Sequence, residues 1–406
     1  MTRSAHRSIW FVALAALVLL TGCSSTVPGA GVPGEIDVRT LDTGRFPTTT
    51  PTLSAALVQP DYLGIEAARM ADAVLSPFEV DPKYALGATA SAHTRPDSVV
   101  RYLFDSTVPV LRKHGMVLGF STASADTQVP PEKALHDTAG QRREGLTVTV
   151  TRFPDEGSAT AAAVELDAVD SVADPNNVPV RLPKYPRAAA HWRPTFPTLG
   201  STTPHGPFVI SVYAVTRNTD LNLLIGMTEK YLEAEIAMLD TFEPTPITEL
   251  RRLRQDPDGM LARSLHDGGV VGRPDGNSEV VYTTRGYLNF VLDQVGRSRA
   301  LRDAGVDRVA VAPMTFLFRT RDVDAAKRWV RESAELGDPA ERRVVDPPED
   351  VPGASCVEDL FTIAPQRFRC FVAYGRYGAL LLGTRLWETK QRAAAQFALL
   401  ANSGGR

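Results

Sequence analysis

The sequence predicts an α+β fold made of two related modules, each an antiparallel sheet packed against helices, after a signal peptide and a flexible tether. Three observations carry that expectation. Runs with the two-residue period of strands, such as Thr147-Val148-Thr149-Val150-Thr151, alternate with Ala-rich runs at helical spacing, such as 158–169. The order of these runs over 148–242 recurs over 316–400. Residues 24–60, in contrast, are rich in Ser, Thr, Pro and Gly and offer few large apolar side chains to bury.

At the start of the chain Arg3, His6 and Arg7 stand without an acid, and residues 9–20 follow as IWFVALAALVLL with no charge. This is the pattern of a signal peptide. Its twelve apolar residues make a helix of about 18 Å, short of the roughly 20 residues that cross a bilayer core, so the segment is read as removed. Directly behind it stand Leu20-Thr21-Gly22-Cys23. These four residues resemble the lipobox of bacterial lipoproteins. That resemblance implies cleavage before Cys23, lipid on its thiol, and attachment to the outer face of the cytoplasmic membrane.

Residues 1–22 are thus the signal peptide and 23–62 the lipidated Cys and tether, interrupted at 35–41 by an alternation that predicts a short strand. Losing Arg3 and Arg7 takes the net charge from −3 to −5, a mild acidic balance that gives no reason to expect nucleic acid as a partner.

The first module, 63–248, opens with a helix over 64–75 and a second over 98–114, which Pro109 should kink or split. Strands are expected at 116–121 and 146–153, the latter half-exposed because Thr alternates with Val, with a polar loop between them over 125–144. The strand ends in Arg152-Phe153-Pro154-Asp155 and leads to a helix over 158–169. A Pro-rich loop at 178–186 comes next. A hairpin, PFVISVYAV and LNLLIGM about a turn at Arg217 to Asp220, then precedes a closing helix over 229–242.

After a linker at 249–267 the second module, 268–406, repeats the plan. A strand ends in Arg319-Thr320-Arg321-Asp322, a helix covers 323–335 and a Pro-rich loop covers 345–352. A hairpin turns at Gly375 to Gly378, and a helix closes the chain over 387–400. The two second strands are expected to end at Gly226 and Gly383, and helices to pack on one face of each sheet.

Besides Cys23 the chain has Cys356 and Cys370, in a compartment where disulfides persist. Closing their loop of 15 residues is expected to contribute on the order of 3 kcal/mol. Trp192 and Tyr213 stand near the corresponding places of the first copy and are expected to fill them by packing.

Motifs that carry chemistry are few. Gly119-Phe120-Ser121-Thr122-Ala123 lacks the second Gly of a nucleophile elbow. His93, His114, His136, His191, His205 and His266 have no metal-ligand spacing and are read as surface or hydrogen-bonding residues. Asp256-Pro257-Asp258-Gly259 reads as a turn and not as a calcium loop. No catalytic residue, metal or cofactor is expected.

The lipobox, GEIDVRTLDTGRFPT, GIEAARMADAVLSPFEVDP, DPDGMLARSL and the Cys356/Cys370 hairpin together resemble an uncharacterised family of envelope lipoproteins of mycolic-acid-bearing actinobacteria. The resemblance covers nearly the whole mature chain. It implies an envelope location and a two-part α+β body, and it brings no catalytic residues. The C-terminal hairpin with its disulfide is also similar to extracytoplasmic sensor domains of serine/threonine kinases from the same bacteria.

The function expected from this reading is a non-enzymatic binding lipoprotein. Its partners are the membrane, through the lipid on Cys23, and an envelope lipid, glycan or protein held in the groove between sheet and helices of either copy. A hydrolase or transferase acting on envelope glycolipid or peptidoglycan is the alternative from another class. A structural component of a surface complex is the third.

Overall fold

The computed structural model describes residues 36–53, 62–127, 143–360, 362 and 364–404. The signal peptide, Cys23, His136 and most of the loop expected at 125–144 lie outside them.

The chain runs through β1 (Thr52–Leu53), α1 (Tyr62–Ala71), α2 (Pro77–Val80), β2 (Leu86–His93), α3 (Val108–Lys113), β3 (Leu118–Ala125), β4 (Gly145–Arg152), α4 (Glu156–Ser171), β5 (Val178–Val180), β6 (Ala189–Trp192), β7 (Thr198–His205), β8 (Phe208–Val215) and α5 (Leu221–Leu239). It continues through β9 (Val270–Val271), β10 (Val280–Tyr282), α6 (Thr284–Leu288), α7 (Gln294–Asp303), β11 (Arg308–Ala312), β12 (Thr315–Arg319), α8 (Val323–Glu335), β13 (Arg342–Val345), β14 (Ser355–Asp359), β15 (Phe368–Tyr374), β16 (Tyr377–Gly383) and α9 (Leu386–Asn402).

Two antiparallel seven-stranded sheets result, ordered β2-β3-β4-β8-β7-β6-β5 and β10-β11-β12-β16-β15-β14-β13. Adding eight to each strand number of the first order yields the second, so the duplication is one of topology. The same local device starts the first long helix in each copy. Asp155 accepts a hydrogen bond from the Ser158 amide at 2.7 Å, and Asp322 accepts one from the Ala325 amide at 2.7 Å. Each aspartate satisfies one of the amides left open in the first turn.

The repeat is offset by one strand from the expected alignment. Residues 221–227 are the first two turns of α5 and not a strand, because Asp220 caps that helix by accepting from the Leu223 amide at 3.0 Å. Leu224, Thr228, Tyr231 and Leu232 then recur on one buried face at helical spacing. The true counterpart of the β15–β16 hairpin is β7–β8. His205 pairs with Phe208 and Tyr374 with Tyr377, each across a two-residue turn whose first residue, Gly206 or Gly375, has a positive φ. Gly226 is therefore helical, and only Gly383 ends a strand.

Helices cover both faces of each sheet and not one. Val209 of β8 packs with Phe153, Ala159 and Ala162 under α4, while its neighbours Ile210 and Val212 join Tyr231 and Leu232 of α5 on the opposite side. In the second copy Phe318 meets Trp329 of α8 at 4.3 Å between ring centroids, and Leu317 joins Ala394 and Ala398 of α9. The TVTVT strand β4 lies in the middle of its sheet with Thr149 and Thr151 buried, so it is not half-exposed.

Several segments expected to be loose are packed. Residues 35–41 do not form a strand where they are described: Val38–Thr40 is a 3-10 turn. Leu41 and Phe46 enter the core of the second module, and β1 pairs in parallel with β9, so residues 38–53 are not a free tether. Nor is 249–267 a free linker, since Met260, Leu261 and Leu265 are buried in that same core. The helix expected over 98–114 is split into 3-10 turns at Pro96–Val99 and Asp105–Thr107 and then α3, with Pro109 in its first turn, where a missing amide costs nothing.

The closing helix of each module pins a stretch of backbone far from it in sequence. Glu235 of α5 accepts from the Leu75 amide at 2.9 Å, and Tyr231 donates to the Leu75 carbonyl at 2.6 Å. In the second copy Gln396 of α9 does both, accepting from the Leu265 amide at 2.7 Å and donating to the Arg263 carbonyl at 2.8 Å.

Candidate functional site

Cys356 and Cys370 form a disulfide between directly paired residues of β14 and β15. Their counterparts by strand register are Ala190 and Ser201, which pair across β6 and β7. Trp192 and Tyr213 do not take that place; they line a cavity instead. Cys23 falls outside the described residues.

That cavity, of about 260 Å³, lies against the α4 face of the first sheet. Its floor is a row of hydroxyls and small residues, Thr147 and Thr149 from β4, Ser211 from β8 and Gly200 from β7. Tyr102, Phe104 and the C-terminal end of α4 form the opposite wall, and Arg193 closes one rim through its ion pair with Asp174 at 2.6 Å. At the equivalent pairing of the second sheet, Thr149–Ser211 becomes Phe316–Leu380. Two large apolar side chains thus stand where the first module carries two hydroxyls.

His191 is the centre of the polar groups. Its Nδ1 lies 3.5 Å from Asp167 Oδ1 and its Nε2 lies 3.7 Å from Asp170 Oδ2, within ion-pair reach but too long for good hydrogen bonds. Asp167 and Asp170 share one face of α4 at a three-residue spacing. Burial pushes the Asp170 carboxyl above its usual range; His191 opposes that push and Asp167 adds to it. Three polar atoms here are buried without a hydrogen-bond partner: His191 Nδ1, Asp167 Oδ1 and Asp170 Oδ1. Such orphans are uncommon in native interiors and cost about 1–3 kcal/mol each.

Gly200 makes the close approach of the imidazole feasible. A Cβ there would sit 3.0 Å from His191 Nε2. Behind the floor Thr149 shares a hydrogen bond with Ser121 at 2.8 Å, which bonds His93 Nε2 at 2.7 Å. His93 is fully buried, and burial holds its pKa down at about 4, so its ring is neutral at pH 7.

The other histidines lie elsewhere. His205 bonds Asp240 at 2.7 Å, His266 bonds Glu279 at 2.9 Å, and His114 stands 3.2 Å from Glu165. Asp256 uses its carboxylate to accept from the Leu261 and Ala262 amides, at 3.0 and 2.8 Å. Sequence reading missed His191 and its aspartates because they come from different elements. The signal available was the Thr row, polar on one side of a strand whose other side is Leu and Val.

Comparison with known proteins bears on this body. Residues 59–255 match the model described as domain of unknown function DUF7373, N-terminal, and residues 260–403 match its C-terminal counterpart. The chain carries both halves of DUF7373. Each half contains one of the two sheets, and the cavity with His191 belongs to the N-terminal DUF7373 domain. No curated protein matches the sequence. Among solved structures, the extracellular domain of PknH from Mycobacterium tuberculosis is similar at 12% identity, over 40% of this chain and 92% of that one, with a TM-score of 0.26. Among the described residues no helix is long and apolar enough to cross a membrane.

Proposed function

We propose that this chain is a lipoprotein held on the outer face of the cytoplasmic membrane through Cys23, and that its first-module cavity binds a hydroxyl-rich ligand without turning it over. The observation that carries the binding site is the cluster of orphaned polar atoms around His191, facing a cavity whose floor hydroxyls are replaced by Phe316 and Leu380 in the other copy. Carboxylates that accept, threonines and serines that donate or accept, and the rings of Tyr102, Trp192 and Tyr213 suit the alternating hydroxyl and C–H faces of a sugar.

The arrangement favours holding over hydrolysis. Among the described residues the serine side chain bonded to a histidine is Ser121, with His93, and both are fully buried. Asp167 and Asp170 share one helix face beside a single imidazole, whereas a glycosidase sets its two carboxyls on opposite sides of the bond it cleaves.

Native mass spectrometry of the protein purified from its own envelope tests the site. The parent is expected to carry a glycan-sized mass, and Ser211→Leu, which copies the residue of the second sheet, is expected to lose it by filling the floor. A parent that carries nothing, or a Ser211→Leu protein that carries the same mass, overturns the reading.

The anchor has a separate test. Cys23→Ala is expected to remove the protein from the detergent phase, leaving it uncut or secreted in soluble form. A variant that is cut after residue 22 and still partitions into detergent contradicts lipidation.

A further inference from the structure

The second module holds a cavity of about 430 Å³ in the corresponding place, between α6, α7, the end of α8 and strands β13 to β15. Its chemistry is different. Arg297 lines it and is only 8% exposed, and its guanidinium donates from Nη1 to Ser333 Oγ at 3.0 Å. Among the described residues no carboxylate lies within ion-pair distance of it. Its other donors make no hydrogen bond among the described residues and stay open to the cavity, so a full charge with one neutral acceptor is left for an anion to complete.

Arg369 stands in the same cavity. It pairs with Asp359 through Nη2, while its Nε is buried without a partner. Of the acids that line it, Asp359 pairs with Arg369, Asp293 accepts from the Gly296 amide at 2.8 Å, Asp338 accepts from the Ala340 amide at 2.8 Å, and Glu341 is exposed. Phe290, Val291 and Leu336 supply an apolar wall beside the two guanidinium groups.

We infer that this cavity is a second binding site, for an amphiphilic anion whose carboxylate or phosphate sits on Arg297 and Arg369 and whose apolar part lies on Phe290, Val291 and Leu336. Two guanidinium groups offer the forked donors that carboxylates and phosphates accept, and the adjoining wall excludes water from an aliphatic chain. The inference does not depend on the His191 cavity, because it uses neither its residues nor its ligand.

Calorimetric titration of the whole purified protein with octyl phosphate, octanoate, inorganic phosphate and octyl glucoside tests it. Octyl phosphate and octanoate are expected to bind, inorganic phosphate more weakly, and the uncharged glucoside least. Arg297→Met should weaken octyl phosphate by about tenfold to a hundredfold, the loss of one or two charge-assisted hydrogen bonds. Ser211→Leu should leave that binding unchanged. Thermal unfolding separates site from scaffold: Arg297→Met without ligand should melt no lower than the parent, since it removes an unpaired buried charge, and octyl phosphate should raise the melting temperature of the parent alone. Binding that survives Arg297→Met, or a glucoside that binds as well as the phosphate, overturns the anion site. Inorganic phosphate binding as tightly as octyl phosphate overturns its amphiphilic character.

Discussion

Glu66→Ala is expected to destabilise the protein by about 3–5 kcal/mol, the cost of leaving a buried charge without its partner. Glu66 lies on α1 with no exposed surface. Its Oε1 accepts from Arg152 Nη1 at 3.1 Å and from the Thr245 amide at 2.7 Å; its Oε2 accepts from Arg69 Nη1 at 2.5 Å and from Thr245 Oγ1 at 2.8 Å. Arg152, 5% exposed at the end of β4, also donates to the Thr245 carbonyl at 2.7 Å. One carboxylate thus ties the first helix, an interior strand and the segment that leads into the second module. Urea unfolding of Glu66→Ala measures the cost, and Glu66→Leu combined with Arg152→Met should recover much of it, because the stranded charge is then absent. A loss under about 1 kcal/mol for Glu66→Ala would show that the network is incidental.

Glu235→Gln is expected to act in the opposite direction, stabilising the protein by roughly 3 kcal/mol at pH 7. Glu235 is fully buried, and burial pushes its pKa up to about 8, against the hydrogen bonds from Leu75 and Tyr231 that favour the charged form. In the folded protein the group is therefore protonated at neutral pH. The unfolded chain ionises it near 4.5. An acid whose folded pKa is raised loses stability as pH climbs from its unfolded value to its folded one, so the parent should weaken between about pH 4.5 and 8. Gln keeps the acceptor for the Leu75 amide and cannot ionise, which is the solution the second module already uses at Gln396. Unfolding curves at pH 4.5 and pH 7 decide the matter: parent and variant should coincide at the lower pH and separate at the higher. Equal stability at both would mean that Glu235 is not a buried neutral acid.

How far this molecule could be read from its residues depended on the range of the interactions involved. Helix starts set by a neighbouring aspartate were legible, as at Asp155 and Asp322, because an N-cap acts over three residues. The β15–β16 hairpin was legible for the same reason, its turn being two residues long. Leu221 to Met227 was misread, since a short apolar run looks alike as a strand and as the start of a helix; Asp220 decides it by capping. The Thr row of β4 was placed at the surface because alternation records only that the two faces differ. It does not say that the polar face is covered.

Contacts between residues a few positions apart made the strand-to-helix joints and the existence of a duplicated α+β module readable in the chain, though not its strand-by-strand alignment. The disulfide partners followed from there being two cysteines left in the body. Long-range packing set the rest: that seven strands of each copy fall in one order, that helices shield both faces, and that residues 38–53 belong to the second core. It alone brought His191 from β6 to Asp167 and Asp170 on α4, and Arg297 from α7 to Arg369 on β15. Those meetings depend on strand register and sheet packing over dozens of residues. No local pattern in the chain encodes them, because the free energy that enforces them comes from burying the opposite, apolar faces of the same elements.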